Sequence, residues 1–411
     1  MHHRYIIVGG GAAGASAIEG IRAHDPEGGI LMLSRENHAP YRRPLLSRDL
    51  WFQTGSLADL SYFSDAYYRE KNVDLLLRRD VVEVLPETKT VLDDRGAEYT
   101  YDELLLVTGV RPRMLDAPGA DHPELHYFRS LEDYLALEQR ISRVQHVLVI
   151  GEDLLALELA ESIRQRGREV TLVAAHDYPL QRMLPRDLGR LLTERCRELG
   201  IELITNETIV EFEDRGGMLL ARTHDGNVIT TQTAIVALGT EPNVELAESA
   251  GLEVGNGIEV DEYAHASTAG IWAAGDVAEF PHLALGRSMR LEQWDHAVHH
   301  GRAAGANMAG ANRPYAHMPL FAGTVFDVTL GAVGDVDSTW ETHAVWREEY
   351  REGALFYLHD DIVRGVLTWN MPDEPEWARA AVRLGRPTTY EEREAMVPVP
   401  AREAVPVRRR L

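Results

Sequence analysis

Tyr5-Ile6-Ile7-Val8-Gly9-Gly10-Gly11-Ala12-Ala13-Gly14 is an apolar run that breaks into glycine and resumes as small residues. That order predicts a strand, a tight G-x-G-x-x-G turn and a helix start, the three parts of a dinucleotide-phosphate cradle. Gly9 permits the turn, Gly11 lets the backbone approach a pyrophosphate, and Gly14 lets helix and strand pack closely. Ala12 and Ala13 open the helix whose N–H groups and positive dipole end face the phosphate. An acid, Glu36, follows about twenty residues on, where such units read a ribose. A glycine turn alone also serves purely structural ends, but the strand before it and the acid after it point to a bound dinucleotide.

Outward from this unit, a second one follows the same plan. Val147-Leu148-Val149-Ile150-Gly151 precedes Leu154 to Arg166, which carries apolar residues at helical spacing. Further apolar runs lie at 29–33, 104–109, 169–173 and 233–239. Strands rich in Val, Ile and Leu alternating with helices indicate parallel sheets covered on both faces. Thr108-Gly109-Val110-Arg111-Pro112 and Leu238-Gly239-Thr240-Glu241-Pro242-Asn243 end two of these runs and hand the chain across. After Pro314 short alternating runs with Gly and Asp turns predict an antiparallel sheet. The expected fold is α/β, with two Rossmann-like dinucleotide-binding domains plus a small C-terminal α+β domain. The first domain is discontinuous, at 1–118 and 242–314. The second spans 119–241 and the third 315–411, its end from Arg383 onward loosely packed or extended.

The 411 residues carry a net charge of −23. Nucleic acid and anionic membrane surfaces both require a positive footprint, so neither is expected as a partner. No run of eighteen apolar residues is present and no leader precedes the first strand, so no membrane span is expected and the location is cytoplasmic. Arg408-Arg409-Arg410-Leu411 is a solvated end rather than a docking site. Cys196 is the single cysteine. Thiol-disulfide relay chemistry is excluded, and Cys196 is a helix packing residue.

Four segments resemble one family: Pro40-Tyr41-Arg42-Arg43-Pro44-Leu45-Leu46-Ser47-Arg48-Asp49-Leu50-Trp51, Gly239 to Ala247, Ile271 to Asp276, and Glu292-Gln293-Trp294-Asp295-His296-Ala297 through Arg302. They resemble the FAD-dependent pyridine nucleotide-disulfide oxidoreductase superfamily, in its apoptosis-inducing factor and ferredoxin reductase-like branch, bacterial in type. The resemblance implies FAD in the first unit. It places Gly275-Asp276 at the ribityl chain, Arg43 near the pyrophosphate and Val82 at the adenine. Thr108, Gly109, Glu292, Gln293 and Trp294 are implied as further FAD contacts, the helix after Gln293 aiming its positive end at the flavin. The family's ribose acid aligns with Arg35, so either Glu36 swings in or Arg35 makes a different contact.

In the second unit the resemblance implies NAD(P)H contacts at Gly151, Leu154, Glu158 and Gly239. The loop, however, reads Gly151-Glu152-Asp153-Leu154-Leu155-Ala156, and Asp153 puts a negative charge where a pyrophosphate approaches. Like charges in an interface cost several kcal/mol, enough to weaken binding by roughly a thousandfold. Ala174-Ala175-His176 also lacks the acid that relatives place on the ribose, and Asp177 substitutes for it only if the loop shifts. NAD(P)H use is therefore in doubt. Arg48 and Glu158 match a family pair beside flavin N5, as catalytic residues or as an interdomain ion pair. Ala322 stands where relatives carry tryptophan, which opens space beside the flavin unless Trp294 or Phe321 fills it. No metal is expected.

The expected function is hydride transfer to and from flavin N5, from NAD(P)H to a small acceptor such as a quinone or oxygen. Ferredoxin is disfavoured, because such carriers are mostly acidic like this chain. The alternative is an FAD protein that has lost NAD(P)H use and acts on another small molecule, or as a flavin-loaded partner-binding or redox-sensing protein. A homodimer is left open.

Overall fold

The structure is a computed structural model and describes residues 1–371 and 376–398. The tail Arg408 to Leu411 lies outside the described residues. The opening run forms the strand His2–Val8, whose last four residues are buried, and it sits centrally in a sheet. It pairs in parallel with Ile30–Ser34 on one side and Glu98–Leu106 on the other, so that Val8 faces both Leu33 and Leu106. Val73–Leu77 extends this sheet beyond Ile30–Ser34, and Ile271–Ala273 joins it against Glu98–Leu106. The first helix, Ala12–His24, packs on the much later helix Trp294–Met308 at backbone distance. A Cβ at Gly301 would strike the Ala13 carbonyl and one at Gly305 that of Ala17. Two glycines thus decide how closely the helices approach.

The second unit repeats the plan. Ile201–Ile204, Glu169–Val173, His146–Ile150, Thr233–Val236 and Leu125–Tyr127 form a five-stranded parallel sheet in that order. Helix Leu154–Gln165 packs against it and buries Ala156, Leu157, Leu159, Ala160 and Ile163. The two handover segments meet, because Val110–Pro112 pairs antiparallel with Thr240–Pro242. A further antiparallel sheet, Ile209–Arg215, Met218–Thr223 and Val228–Thr231, lies within the second unit. No strand was expected there.

From Leu320 the chain forms a five-stranded antiparallel sheet in the order Leu320–Val325, Val328–Gly334, Ile362–Trp369, Glu352–His359, Glu341–Glu348. Helix Glu376–Arg383 packs against it. From Leu384 to Pro398, the part of the C-terminal stretch that lies within the described residues, the chain is more ordered than expected. Helix Tyr390–Met396 carries a Thr389 capping box, and buried Arg393 donates to the Thr388 carbonyl at 2.7 Å. Cys196 is fully buried in helix Arg186–Glu198, and burial pushes its thiol up to about 12. No helix among the described residues is long and apolar enough to cross a membrane.

Candidate active site

A cavity of about 1300 Å³ opens above the carboxyl ends of the first sheet. Gly9, at φ 128°, holds a conformation side chains avoid, and a Cβ there would strike the Val107 carbonyl. Gly11 caps helix Ala12–His24 without any side-chain bond and has nothing within 4 Å of where its Cβ would stand. The helix's first N–H groups therefore face open space, the arrangement that binds phosphate. Gly14 lies beneath the turn, where a Cβ would strike the Gly9 carbonyl.

The structure brings most of the expected FAD contacts to this cavity. Gly9, Gly11, Ala12 and Ala13 line it, as do Arg35, Glu36, Arg43 and Val82. Thr108, Gly109, Asp276, Glu292, Gln293 and Trp294 form the remaining wall. Gly14, Gly275 and Arg48 do not line it. Thr108 is fixed by exchange with Asn243, its hydroxyl donating to the Asn243 carbonyl at 2.7 Å and its carbonyl accepting from Asn243 Nδ2 at 2.8 Å. Between the two ribose candidates the geometry separates clearly. Arg35 is exposed, whereas Glu36 accepts from the Tyr41 hydroxyl at 2.7 Å and is ion-paired with Arg43.

Arg129 carries a role that the sequence analysis did not assign it. Its guanidinium donates to Asp276 at 2.8 Å, and its carbonyl accepts from Arg43 at 2.9 Å. Burial pushes the Asp276 carboxyl up, and the Arg129 charge opposes that push. Helix Trp294–Met308 presents its start to the same wall. Gln293 caps it with no side-chain bond, and its buried Oε1 has no partner. An orphaned acceptor beside free helix N–H groups fits a flavin ring, which offers both a ring N–H and acceptor atoms. With the open phosphate turn at the other end, the residues present fit FAD.

The helix start is locked to the C-terminal sheet through Asp295, which accepts from Leu320 N at 2.9 Å and pairs with His317 at 2.6 Å. Against burial, bonds from His299, His317 and Leu320 hold this carboxyl well below the usual range. Asp295, His299 and His317 bring three metal-type donors within 4.8 Å. The two imidazoles stack with centroids 3.7 Å apart and planes 10° from parallel, so no single ion lies in both ring planes.

Arg48 and Glu158 are not paired with each other. Arg48 binds buried Glu161 at 2.7 Å and the Thr324 carbonyl at 2.9 Å, and stacks on Phe52. Glu158 instead accepts from the Ser47 hydroxyl at 2.6 Å, and burial pushes its carboxyl up to about 7. Ser47 and Leu155, not Glu158 or Leu154, reach the cavity wall. Leu154 packs on Gly323, where a Cβ would strike it. Ala322 is exposed and is not part of the cavity wall, while Phe321 packs into the apolar core and Trp294 lies against Tyr62.

The nucleotide turn of the second unit keeps the backbone of the first. Gly151 has φ 146°, and a Cβ there would strike the Ala237 carbonyl. Neither Gly151 nor Gly239 lines the large cavity. Asp153 caps helix Leu154–Gln165 without a side-chain bond and is exposed. The chain around it, with Glu152 adding repulsion, nevertheless raises its pKa. A Glu152 carboxylate oxygen meets His176 Nδ1 across the turn.

The profile of the family described as pyridine nucleotide-disulphide oxidoreductase matches residues 3–301. The chain is 30% identical to the 3-phenylpropionate/cinnamic acid dioxygenase ferredoxin–NAD(+) reductase component of Photorhabdus laumondii, over 90% of this chain and 93% of that protein. It is 29% identical to mitochondrial apoptosis-inducing factor 1 of Dictyostelium discoideum, over 92% of this chain and 77% of that protein. The fold is similar to putidaredoxin reductase in its covalent complex with putidaredoxin, with a TM-score of 0.88, 26% identity and coverage of 98% and 97%.

These likenesses correct one expectation. One of these relatives is a ferredoxin–NAD(+) reductase component and another is captured with putidaredoxin, so the net charge of −23 does not disfavour such a partner. The physical reason is range. Exposed charges beyond about 10 Å are screened at 0.1 M salt, so the residues at the contact decide an encounter and the whole-molecule sum does not.

Proposed function

The chain belongs to the pyridine nucleotide-disulphide oxidoreductase family, and from that premise we propose that it is an NADH-dependent reductase of a small ferredoxin-class electron carrier. FAD, when bound, supplies the chemistry that divides a two-electron donor between one-electron acceptors. The observation that carries this reading is the cavity, with an open phosphate turn at one end and the Gln293 acceptor and helix start at the other. Glu36, Arg43 and Asp276 would orient the bound group, and Arg129 would hold the Asp276 side chain in place. In this reading residues 1–118 and 242–314 hold FAD, 119–241 take NADH and 315–411 form the third domain. Glu158 and Arg48 serve at the junction of the three, Glu158 holding or releasing a proton and Arg48 fixing the loop that carries Ser47. The reaction belongs to the cytoplasm.

Asp153 favours a second reading, in which NADH is used slowly and the flavin-loaded protein serves chiefly to bind a partner. Anaerobic stopped-flow mixing with NADH, followed by addition of a purified ferredoxin, tests both. Fast saturable bleaching of the flavin and its return with ferredoxin support the reductase. Slow bleaching favours the second reading, and none at millimolar NADH rejects both.

A further inference from the structure

The two dinucleotide units correspond residue for residue at their glycine turns. Val8 precedes Gly9 and pairs with Leu33, and Ile150 precedes Gly151 and pairs with Val173. The same backbone bond closes both turns, Gly9 N to the Leu33 carbonyl at 2.9 Å and Gly151 N to the Val173 carbonyl at 3.0 Å. Counted from these anchors, Glu36 corresponds to His176 and Gly10 to Glu152. The first unit thus has its acid at the strand end and glycine in the loop. The second has its acid in the loop and histidine at the strand end.

Gly10 shows where a side chain from this loop position travels, because a Cβ there would strike Ser34 at the end of Ile30–Ser34. Glu152 follows that direction across its own turn. Its Oε2 accepts the His176 backbone N–H at 2.9 Å, and its Oε1 meets His176 Nδ1. The Glu152 carbonyl accepts from Leu180 N at 2.9 Å, which fixes the backbone from which the side chain leaves. The neighbouring acid, Asp177, is engaged by Arg186 and Asn206 instead.

We infer that Glu152 reads the adenosine ribose of NADH in this chain, delivered from the loop rather than from the strand end, with His176 as its positioning residue. The inference rests on the reading that the second unit takes NADH. A carboxylate offers about four lone-pair sites, and His176 uses two. The remaining pair accept from the two ribose hydroxyls. A 2′-phosphate brings negative charge to the same oxygens and is repelled, so Glu152 also selects NADH over NADPH.

Calorimetric titration of the FAD-loaded protein with NAD+ and with NADP+ tests this without turnover. Glu152→Gln is expected to weaken NAD+ by about tenfold or more, the scale of a hydrogen bond to a charged group, and to narrow the ratio of NAD+ to NADP+ affinity. His176→Ala is expected to do the same to a smaller degree. Glu152→Gly combined with His176→Glu rebuilds the first unit's arrangement and is expected to recover NAD+ affinity over Glu152→Gly alone. A ratio unmoved in Glu152→Gln overturns the inference while leaving the nucleotide reading intact. A double variant no better than Glu152→Gly overturns it as well. A wild type that binds neither nucleotide overturns the underlying reading and this inference with it.

Discussion

The Ser47 hydroxyl donates a 2.6 Å hydrogen bond to Glu158, tying the first unit's loop to the nucleotide helix of the second. Ser162 on the same helix returns the link by donating to the Ser47 carbonyl at 2.9 Å. Burial pushes Glu158 up to about 7, with Ser47 and Arg48 pulling the other way. Ser47 favours the ionised form, so its removal raises the pKa further. The pH profile of NADH-driven flavin reduction is expected to carry a step near 7. That step should move to higher pH in Ser47→Ala and disappear in Glu158→Gln. A profile identical in all three proteins would remove Glu158 from the chemistry.

The same carboxyl makes stability depend on pH. Below the ordinary glutamate value of 4.5 both folded and unfolded states hold the proton, and no difference arises. Between 4.5 and about 7 only the unfolded state ionises, so stability falls as pH rises. Above 7 the penalty is complete, up to about 3 kcal/mol for a shift of this size. Glu158→Gln is expected to be more stable than wild type at pH 8 and equal to it at pH 4, read from urea midpoints at both.

Arg48 is held by Glu161, whose side chain is only 4% exposed, and both contact the C-terminal sheet. Arg48 donates to the Thr324 carbonyl and Glu161 accepts from Phe326 N at 2.9 Å. Removing one partner of a buried pair leaves the other charged and unmatched, at a cost of about 3–5 kcal/mol. Arg48→Ala is expected to lose that much stability, and Arg48→Ala with Glu161→Gln to regain part of it. A loss below 1 kcal/mol (about the worth of a surface pair) would mean the pair is effectively solvated.

What was legible in the sequence follows from how locally each feature is determined. Val170 to Val173 and Val147 to Ile150 are buried throughout, so their continuous apolar text announces parallel strands. In Ile209–Arg215 the buried Ile209 and Phe212 stand three apart across a register shift, with exposed Val210 and half-buried Glu211 between them, which breaks the period-two signal of a strand. The identity of Arg48's partner was not readable either. Glu158 and Glu161 lie three apart on one helix face, and the choice is made by Phe326, far along the chain. Arg129 gains meaning only from Asp276, which the fold brings beside it. The ferredoxin expectation failed because it used a sum over the whole molecule for a question that local charges decide.

Gly301 faces the Ala13 backbone, and Ala13 lines the FAD cavity, so a methyl group there presses directly on the phosphate turn. Overpacking of a close contact costs about 1–3 kcal/mol. Gly301→Ala is expected to purify with less bound flavin and a lower melting temperature, both partly restored by excess FAD, because a ligand of the native state stabilises it by mass action. A variant with full flavin content and unchanged melting would show that the two helices can separate freely.

Asp153 decides how readily the second unit takes a nucleotide. Its carboxyl caps the helix without accepting a bond, and the chain around it, with Glu152's charge added, raises its pKa. Charge is therefore lost at a higher pH than for an ordinary aspartate, and acidification removes the repulsion towards a pyrophosphate. Wild-type NADH affinity is expected to tighten as pH falls toward the aspartate range. Asp153→Gly should bind at least about tenfold tighter at pH 8, or about 1.4 kcal/mol, and should lack that acid-side gain. Equal affinity of the two proteins across the range would mean the carboxylate turns away from the phosphates, and the second, slower reading of the nucleotide site would lose its one support.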